Sequence, residues 1–309
     1  MNSSARFGHL LTTCKAFLTS PVSSKPLAIF RILMAAFALV QAFLWYPDWH
    51  AFFGEAGWIQ WEISEALNED WRIHMHDVHL VFQHLGFSAN QTVEMWFWIY
   101  VVCTFGLLLG WYTRIWAFLA WACHYVMMAS MTTFVYGVDI FLHISLFYMI
   151  LMPVNKAFSL DLKQGRASPI TTWADALSLR VLQFHLCLVY LSSGFEKMLI
   201  KEWWDGNVLW RSLVQPDFRQ FDLIFLVDMP WLVMLLSWFT MIVETFYFAA
   251  MWTPKVRLFW LGGIAALHLG IGMFLGLWMF GIIMILLSVS AFGVDAWQDL
   301  RKFRQSWSL

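Results

Sequence analysis

Long apolar runs separated by short polar turns set the pattern of this chain. The run at 26–46 predicts a helix long enough to cross a bilayer, with Pro26 in its first turn. Runs at 95–112 and 115–133, joined through Thr113 and Arg114, predict a second and a third span, and 137–153 predicts a short fourth. A fifth begins near Ala176 and closes near Lys197, and a sixth covers about 229–251. The apolar stretch 258–293 is too long for one crossing and is expected to divide near 274–277 into a seventh and an eighth. The pattern therefore predicts an all-α, polytopic integral membrane helical bundle of about eight transmembrane helices.

Two long polar stretches, 47–93 and 197–228, interrupt that pattern. In the first, RIHMHDVHLVFQHL reads as an amphipathic helix lying at an interface, and the second holds a short amphipathic helix. Residues 1–25 are too broken in hydropathy for a signal peptide and are expected as a cytoplasmic lead-in. Residues 26–294 then form one transmembrane domain, and 295–309 a cytoplasmic tail. No internal repeat and no low-complexity linker marks a second domain.

Composition agrees and narrows the function classes. Hydrophobic residues make up 61% and charged residues 13% of the chain, with mean hydropathy +0.64, against about a quarter charged in soluble domains. A net charge of −1 leaves no basic patch for nucleic acid, so the lipid bilayer is the expected surrounding. Cys14, Cys103, Cys123 and Cys187 lie in the N-terminal segment or in apolar runs and read as small hydrophobes. With the N-terminus inside, eight spans place twelve Lys and Arg residues on the cytoplasmic side and five outside, with Arg31 and Arg180 inside spans. That is the positive-inside bias. It predicts an inner (cytoplasmic) membrane protein with both termini cytoplasmic and the two polar stretches extracytoplasmic. Arg31 is expected to snorkel to the inner headgroups.

One helix face stands out. Arg180, Gln183, Cys187, Tyr190, Gly194 and Lys197 alternate at spacings of three and four and share one side of the fifth span. Two readings stay open: a packing seam, or a face kept for a ligand, water or a protein neighbour. Counting rise along each span puts Lys197 and Asp139 near the outer boundary, with His143 one turn below Asp139. His268 and His124 come out near the midplane, and Glu244 in the inner half. These positions suggest a cavity open to the outer face, with Lys197 and Asp139 as the first ionisable pair and Glu244 with His268 as a second set. A desolvated lysine is a general base or nucleophile, whereas a close carboxylate holds it charged as a lock or an anion anchor. His74, His76 and His79 with Asp77 lack the i, i+4 spacing of helical zinc ligands, and no metal is expected.

The run VYLSSGFEKMLIKEWWDGNVLW resembles the bacterial "horizontally transferred transmembrane" (HTTM) domain family, related to the membrane part of vitamin K-dependent gamma-carboxylase. LAIFRILM, LLLGWYTRIWAF, PVNKAFSLD and HLGIGMFLGLWMFGIIMILLS are similar to further stretches of that family, in the same order. The resemblance implies that Lys197, the lysine of GFEK, is the base that deprotonates reduced vitamin K or menaquinone on the extracytoplasmic side. Oxygen then converts the quinol into an alkoxide that removes a peptide proton, carbon dioxide adds, and the epoxide remains. Asp139 and His143, in GVDIFLH, occupy the region of the carboxylase's assisting Asn-His pair. Tyr190, Gly194, Arg180, Glu244 and His268 are the expected substrate- or cofactor-binding residues. The carboxylase's large luminal domain has no counterpart in this sequence, which keeps a second expectation open: an accessory factor for maturing or exporting a secreted peptide with a neighbour-encoded partner.

Overall fold

A computed structural model describes residues 3–69 and 71–307, and the expected terminal segments fall outside the described residues only at residues 1–2 and 308–309. Among the described residues every regular element is helical. The N-terminal helix α1 (Ser3–Thr19) is followed by α2 (Lys25–Trp45), the short α3 (Trp49–Phe53) and α4 (Trp61–Leu67), then α5 (Met75–Gln83). Next come α6 (Ala89–Leu109), α7 (Thr113–Ser130), α8 (Gly137–Leu151) and the single turn α9 (Leu160–Lys163). The long α10 (Trp173–Leu199) precedes α11 (Lys201–Trp204), α12 (Asn207–Val214), α13 (Pro230–Thr245), α14 (Tyr247–Met251), α15 (Pro254–Leu275) and α16 (Trp278–Trp307).

Among the described residues five stretches are long and apolar enough to cross a membrane: Lys25–Phe53, Ala89–Leu109, Trp173–Leu199, Pro254–Leu275 and Trp278–Gln305. Gly137–Leu151 and Pro230–Thr245 are shorter apolar helices. The expected second span starts six residues earlier than its apolar run, because Ser88 caps it. The Ser88 hydroxyl accepts from the Gln91 N–H, and the Gln91 side chain accepts from the Ser88 N–H. The sixth span keeps its expected bounds but is interrupted, since the helix breaks at Phe246 and resumes as α14 to Met251. The division of 258–293 falls where the pattern put it: Gly276 adopts φ +73, which ends α15 and lets α16 double back. The expected tail at 295–309 continues α16 as far as Trp307.

The chain forms two compact units, Leu27–Asp175 and Ala176–Leu309 together with the residues up to Pro26. In the first, α6, α7 and α8 pack side by side, and α3 and α5 lie against α6. In the second, α15 and α16 form the most extensive helix pair, and α13 and α14 pack on α15.

Candidate functional site

In the second unit the polar face of α10 is buried. Gln183, Cys187, Tyr190 and Gly194 are all covered, while Arg180 and Lys197 are partly so. At Gly194 a Cβ would stand 2.6 Å from the Thr245 backbone nitrogen, so the missing side chain lets α10 and α13 touch. That approach brings the ends of the two helices together.

Lys197 lies at this junction. Side chains on a helix lean toward its N-terminus, and the Lys197 ammonium accordingly folds back one turn. It donates to Ser193 Oγ at 2.6 Å and to Glu244 Oε2 at 2.6 Å, and it sits 5.3 Å from the Trp203 ring centroid. The sequence paired Lys197 with Asp139 and put Glu244 at a different depth. Glu244 is instead the carboxylate at Lys197, because α13 begins beyond the end of α10: Ser237 and Trp238 donate to the carbonyls of Trp203 and Trp204, so the helix comes level with Lys197 only near its own C-terminus.

Next to the ion pair lies a buried aromatic and hydroxyl cluster. The Tyr190 hydroxyl and His268 Nε2 are 2.9 Å apart, the Tyr190 and Tyr247 rings stack at 4.2 Å, and the Tyr247 hydroxyl donates to Ser288 Oγ at 3.2 Å. Lys197 is within electrostatic reach of His268, and Glu244 of Tyr190. His268 is 2% exposed, and its Nδ1 has no hydrogen-bond partner. Lys197, Glu244, Tyr190, Gly194 and His268 thus come together as one site. Ser193, Tyr247 and Ser288 complete it, and the sequence reading missed them. Helical spacing offered two signals, since Ser193 is four residues before Lys197 and Tyr247 three after Glu244. Ser288 carried none.

Arg180 stays apart from this group, about 25 Å from Lys197 along α10. Its guanidinium donates to Gln183 Oε1 and lies over the rings of Phe17 (4.3 Å) and Trp252 (5.4 Å).

Asp139 and His143 belong to the Leu27–Asp175 unit. Asp139 is fully buried and accepts from Gln41 Nε2 at 3.0 Å and from the Tyr136 N–H at 3.2 Å. His143 Nδ1 stands 3.3 Å from His124 Nδ1, so one of the two rings donates to the other. The same unit has an open cavity of about 550 Å³ bordered by His50, Glu94, Met95 and Trp98. Among the described residues no group of three or more His, Cys, Asp and Glu is arranged to hold a metal ion. His74 meets Asp77 at 3.2 Å, and His79 meets the Thr92 hydroxyl at 3.1 Å.

Compared with known families, the chain matches the HTTM domain over residues 20–297, which takes in both units and the whole Lys197 cluster. The chain belongs to the HTTM family. No curated protein and no solved structure matches it.

Three stretches that carry the HTTM resemblance converge on a structural knot in the first unit. Arg31, of LAIFRILM, is wholly buried rather than snorkelling. It donates to the carbonyls of Leu107 (2.8 Å), Leu108 (2.5 Å), Val154 (3.2 Å) and Phe158 (2.5 Å). Leu107 and Leu108 are at the C-terminal end of α6, where carbonyls run out of i+4 partners, although Leu107 also accepts from the Gly110 N–H at 3.0 Å. The guanidinium, with five donors, satisfies them together with the loop after α8. Asp161, of PVNKAFSLD, accepts from the N–H groups of Tyr112 and Thr113, the Thr113 hydroxyl, Asn155 and Arg166. Burial alone would raise its pKa, but these hydrogen bonds, those from Thr113 foremost, hold the carboxyl well below the usual range.

Proposed function

We propose that this HTTM protein is a carboxylase-like membrane enzyme in which Lys197 takes a proton from a quinol, reduced vitamin K or menaquinone, at the extracytoplasmic face. What supports the reading most is the Lys197–Glu244 contact beside buried Tyr190 and His268. To take that proton Lys197 must act as the free amine, and Ser193 Oγ and Glu244 Oε2, each at 2.6 Å, are placed to orient it.

The chemistry of these residues is compatible with a ring bearing two oxygens. Lys197 and Ser193 offer one polar end and the partnerless His268 Nδ1 another, while Tyr190 and Tyr247 supply aromatic surface. When bound with oxygen, the reduced quinol would supply the strong base that removes a proton from a peptide or small-molecule substrate, to which carbon dioxide adds. The proposal sets the chain in a bacterial inner membrane with eight crossings and cytoplasmic termini. It rests there on the bias of twelve cations against five.

The same ion pair favours a second reading. A lysine kept charged by Glu244 is a lock between α10 and α13, and the chain then serves as a non-catalytic accessory to the maturation or export of a secreted peptide. The deciding experiment uses protein purified in mild detergent, extracted for copurified quinones, then given reduced menaquinone without oxygen and finally oxygen. Quinone epoxide made by the wild type and not by folded Lys197→Ala supports the enzyme. No bound quinone and no turnover would sink it in favour of the accessory.

A further inference from the structure

The open cavity of the Leu27–Asp175 unit lies where two helices meet at consecutive residues. Trp49 Nε1 on α3 donates to the Val93 carbonyl of α6 at 2.8 Å, and the next residue of each, His50 and Glu94, face each other with Nε2 and Oε2 3.5 Å apart. Glu94 also ties α6 to the residue that follows α2. Its Oε1 accepts from the Tyr46 hydroxyl at 3.0 Å and from Trp98 Nε1 at 2.9 Å. Both donors come to one oxygen. Among the described residues the other, Oε2, has only His50 beside it, at a distance too long for a firm hydrogen bond. Glu94 lines a cavity of about 550 Å³, within the range of about 300–1,000 Å³ that ligand sites occupy.

The surrounding charge selects the sign of an occupant. Between Arg31 and Arg114 the sequence holds eight Asp and Glu residues and a single Lys or Arg, Arg72. Such a surface draws cations and repels anions. The exposed face of α6 selects its apolar part. Trp98, Val102, Phe105 and Leu109 follow Glu94 at spacings of three and four, all exposed, so an apolar track leaves the cavity at the carboxylate and runs the length of the helix.

A carboxylate that staples α2 to α6 would also bond Tyr46 and Trp98. A staple, however, has no need of a cavity at the carboxylate or of an oxygen left for a further donor.

We propose that this cavity binds an aminophospholipid. The primary ammonium of the headgroup donates to Glu94 Oε2 with the Trp98 indole beside it, and His50 and Asn90, which also border the cavity, offer N–H groups to the phosphate. An acyl chain lies along the track from Trp98 to Leu109. A soluble amine or a peptide terminus would leave that track unused. The site does not depend on Lys197 or on the reaction proposed above.

The test is native mass spectrometry of the delipidated full chain in mild detergent, given equal amounts of phosphatidylethanolamine, its N-acetyl derivative and phosphatidylglycerol with the same acyl chains. The wild type is expected to retain phosphatidylethanolamine about tenfold over the other two, the worth of one hydrogen bond to a charged group. Glycerophosphoethanolamine, the same headgroup without chains, should not displace it. Glu94→Gln, which keeps an amide oxygen for Tyr46 and Trp98, should lose the preference, while Glu62→Gln, an exposed position on α4, should retain it. The proposal is overturned if the wild type retains the three lipids alike, if Glu94→Gln keeps the preference, or if glycerophosphoethanolamine competes as well as the intact lipid, which would make this a site for a soluble amine. The wild-type lipid series stands without either variant.

Discussion

Lys197 and Glu244 meet at 2.6 Å at the C-terminal ends of two helices that touch through Gly194. Each is the other's charge partner within a membrane bundle, with side-chain exposures of 19% and 8%. Removing one partner of such a pair leaves an uncompensated charge, at about 3–5 kcal/mol, whereas replacing both with apolar groups is far milder. Glu244→Ala is therefore expected to cost about 3 kcal/mol or more in denaturant unfolding in mild detergent. Lys197→Met combined with Glu244→Leu should recover most of that loss. Equal losses in the single and double variants would show that the pair does not act as a unit.

Gly194 and Gly262 make a matched comparison. A Cβ at Gly194 strikes the Thr245 backbone, and one at Gly262 meets open space. Gly194→Ala is expected to destabilise by about 1–3 kcal/mol through forced separation of α10 and α13. Gly262→Ala should be neutral or stabilise by up to about 1 kcal/mol through helix propensity. Melting temperatures of the two variants decide it, and the prediction fails if they shift alike.

Arg31 serves four carbonyls that no lysine reaches together. Arg31→Lys loses the planar fork that spans them, and each carbonyl left bare costs about 1–3 kcal/mol, so retaining the charge is not expected to rescue stability. A lysine variant that unfolds with the wild type would refute the account.

Asp161 gives the first unit an acid-sensitive element outside the spans. Its carboxyl is held below its ordinary range in the fold, so its stabilising contribution is present above about pH 5 and fades as pH falls below about 4. Unfolding midpoints between neutral and acid pH should drop for the wild type, and Asp161→Asn should be less stable at neutral pH with a shallower acid slope. A parallel slope in the asparagine variant would rule out Asp161 as the source.

Much of the fold was readable from the apolar runs, and several boundaries also carry a local signal: proline at the starts of α2, α13 and α15, and glycine at 110 and 276. The Ser88–Gln91 cap was equally local and was passed over in favour of the apolar run behind it. The α10 face was legible from spacing, and its buried Gln183, Cys187 and Tyr190 and the close approach at Gly194 make it a packing seam with a charged end. Partners across the bundle were not legible. The Lys197–Glu244 contact was hidden because nothing in the sequence shows that α13 starts alongside Trp203 and Trp204, beyond the end of α10. Arg31 looked like a snorkelling residue because its acceptors are backbone carbonyls, which no pattern of side chains reveals. Tyr247 hid beyond the break at Phe246 as one more aromatic in an apolar stretch.

The Arg31 contacts also impose a schedule on biosynthesis. Its most distant acceptor, the Phe158 carbonyl, is made 127 residues later. At about 5–20 residues per second, ribosomes need about 6–25 s to cover that interval. Throughout it α2 is a nascent helix with a bare guanidinium, a costly thing to release into lipid. The first helix of this unit must therefore be held by water, headgroups or the insertion machinery until the loop after α8 emerges, which makes insertion of the unit a concerted event rather than one helix at a time.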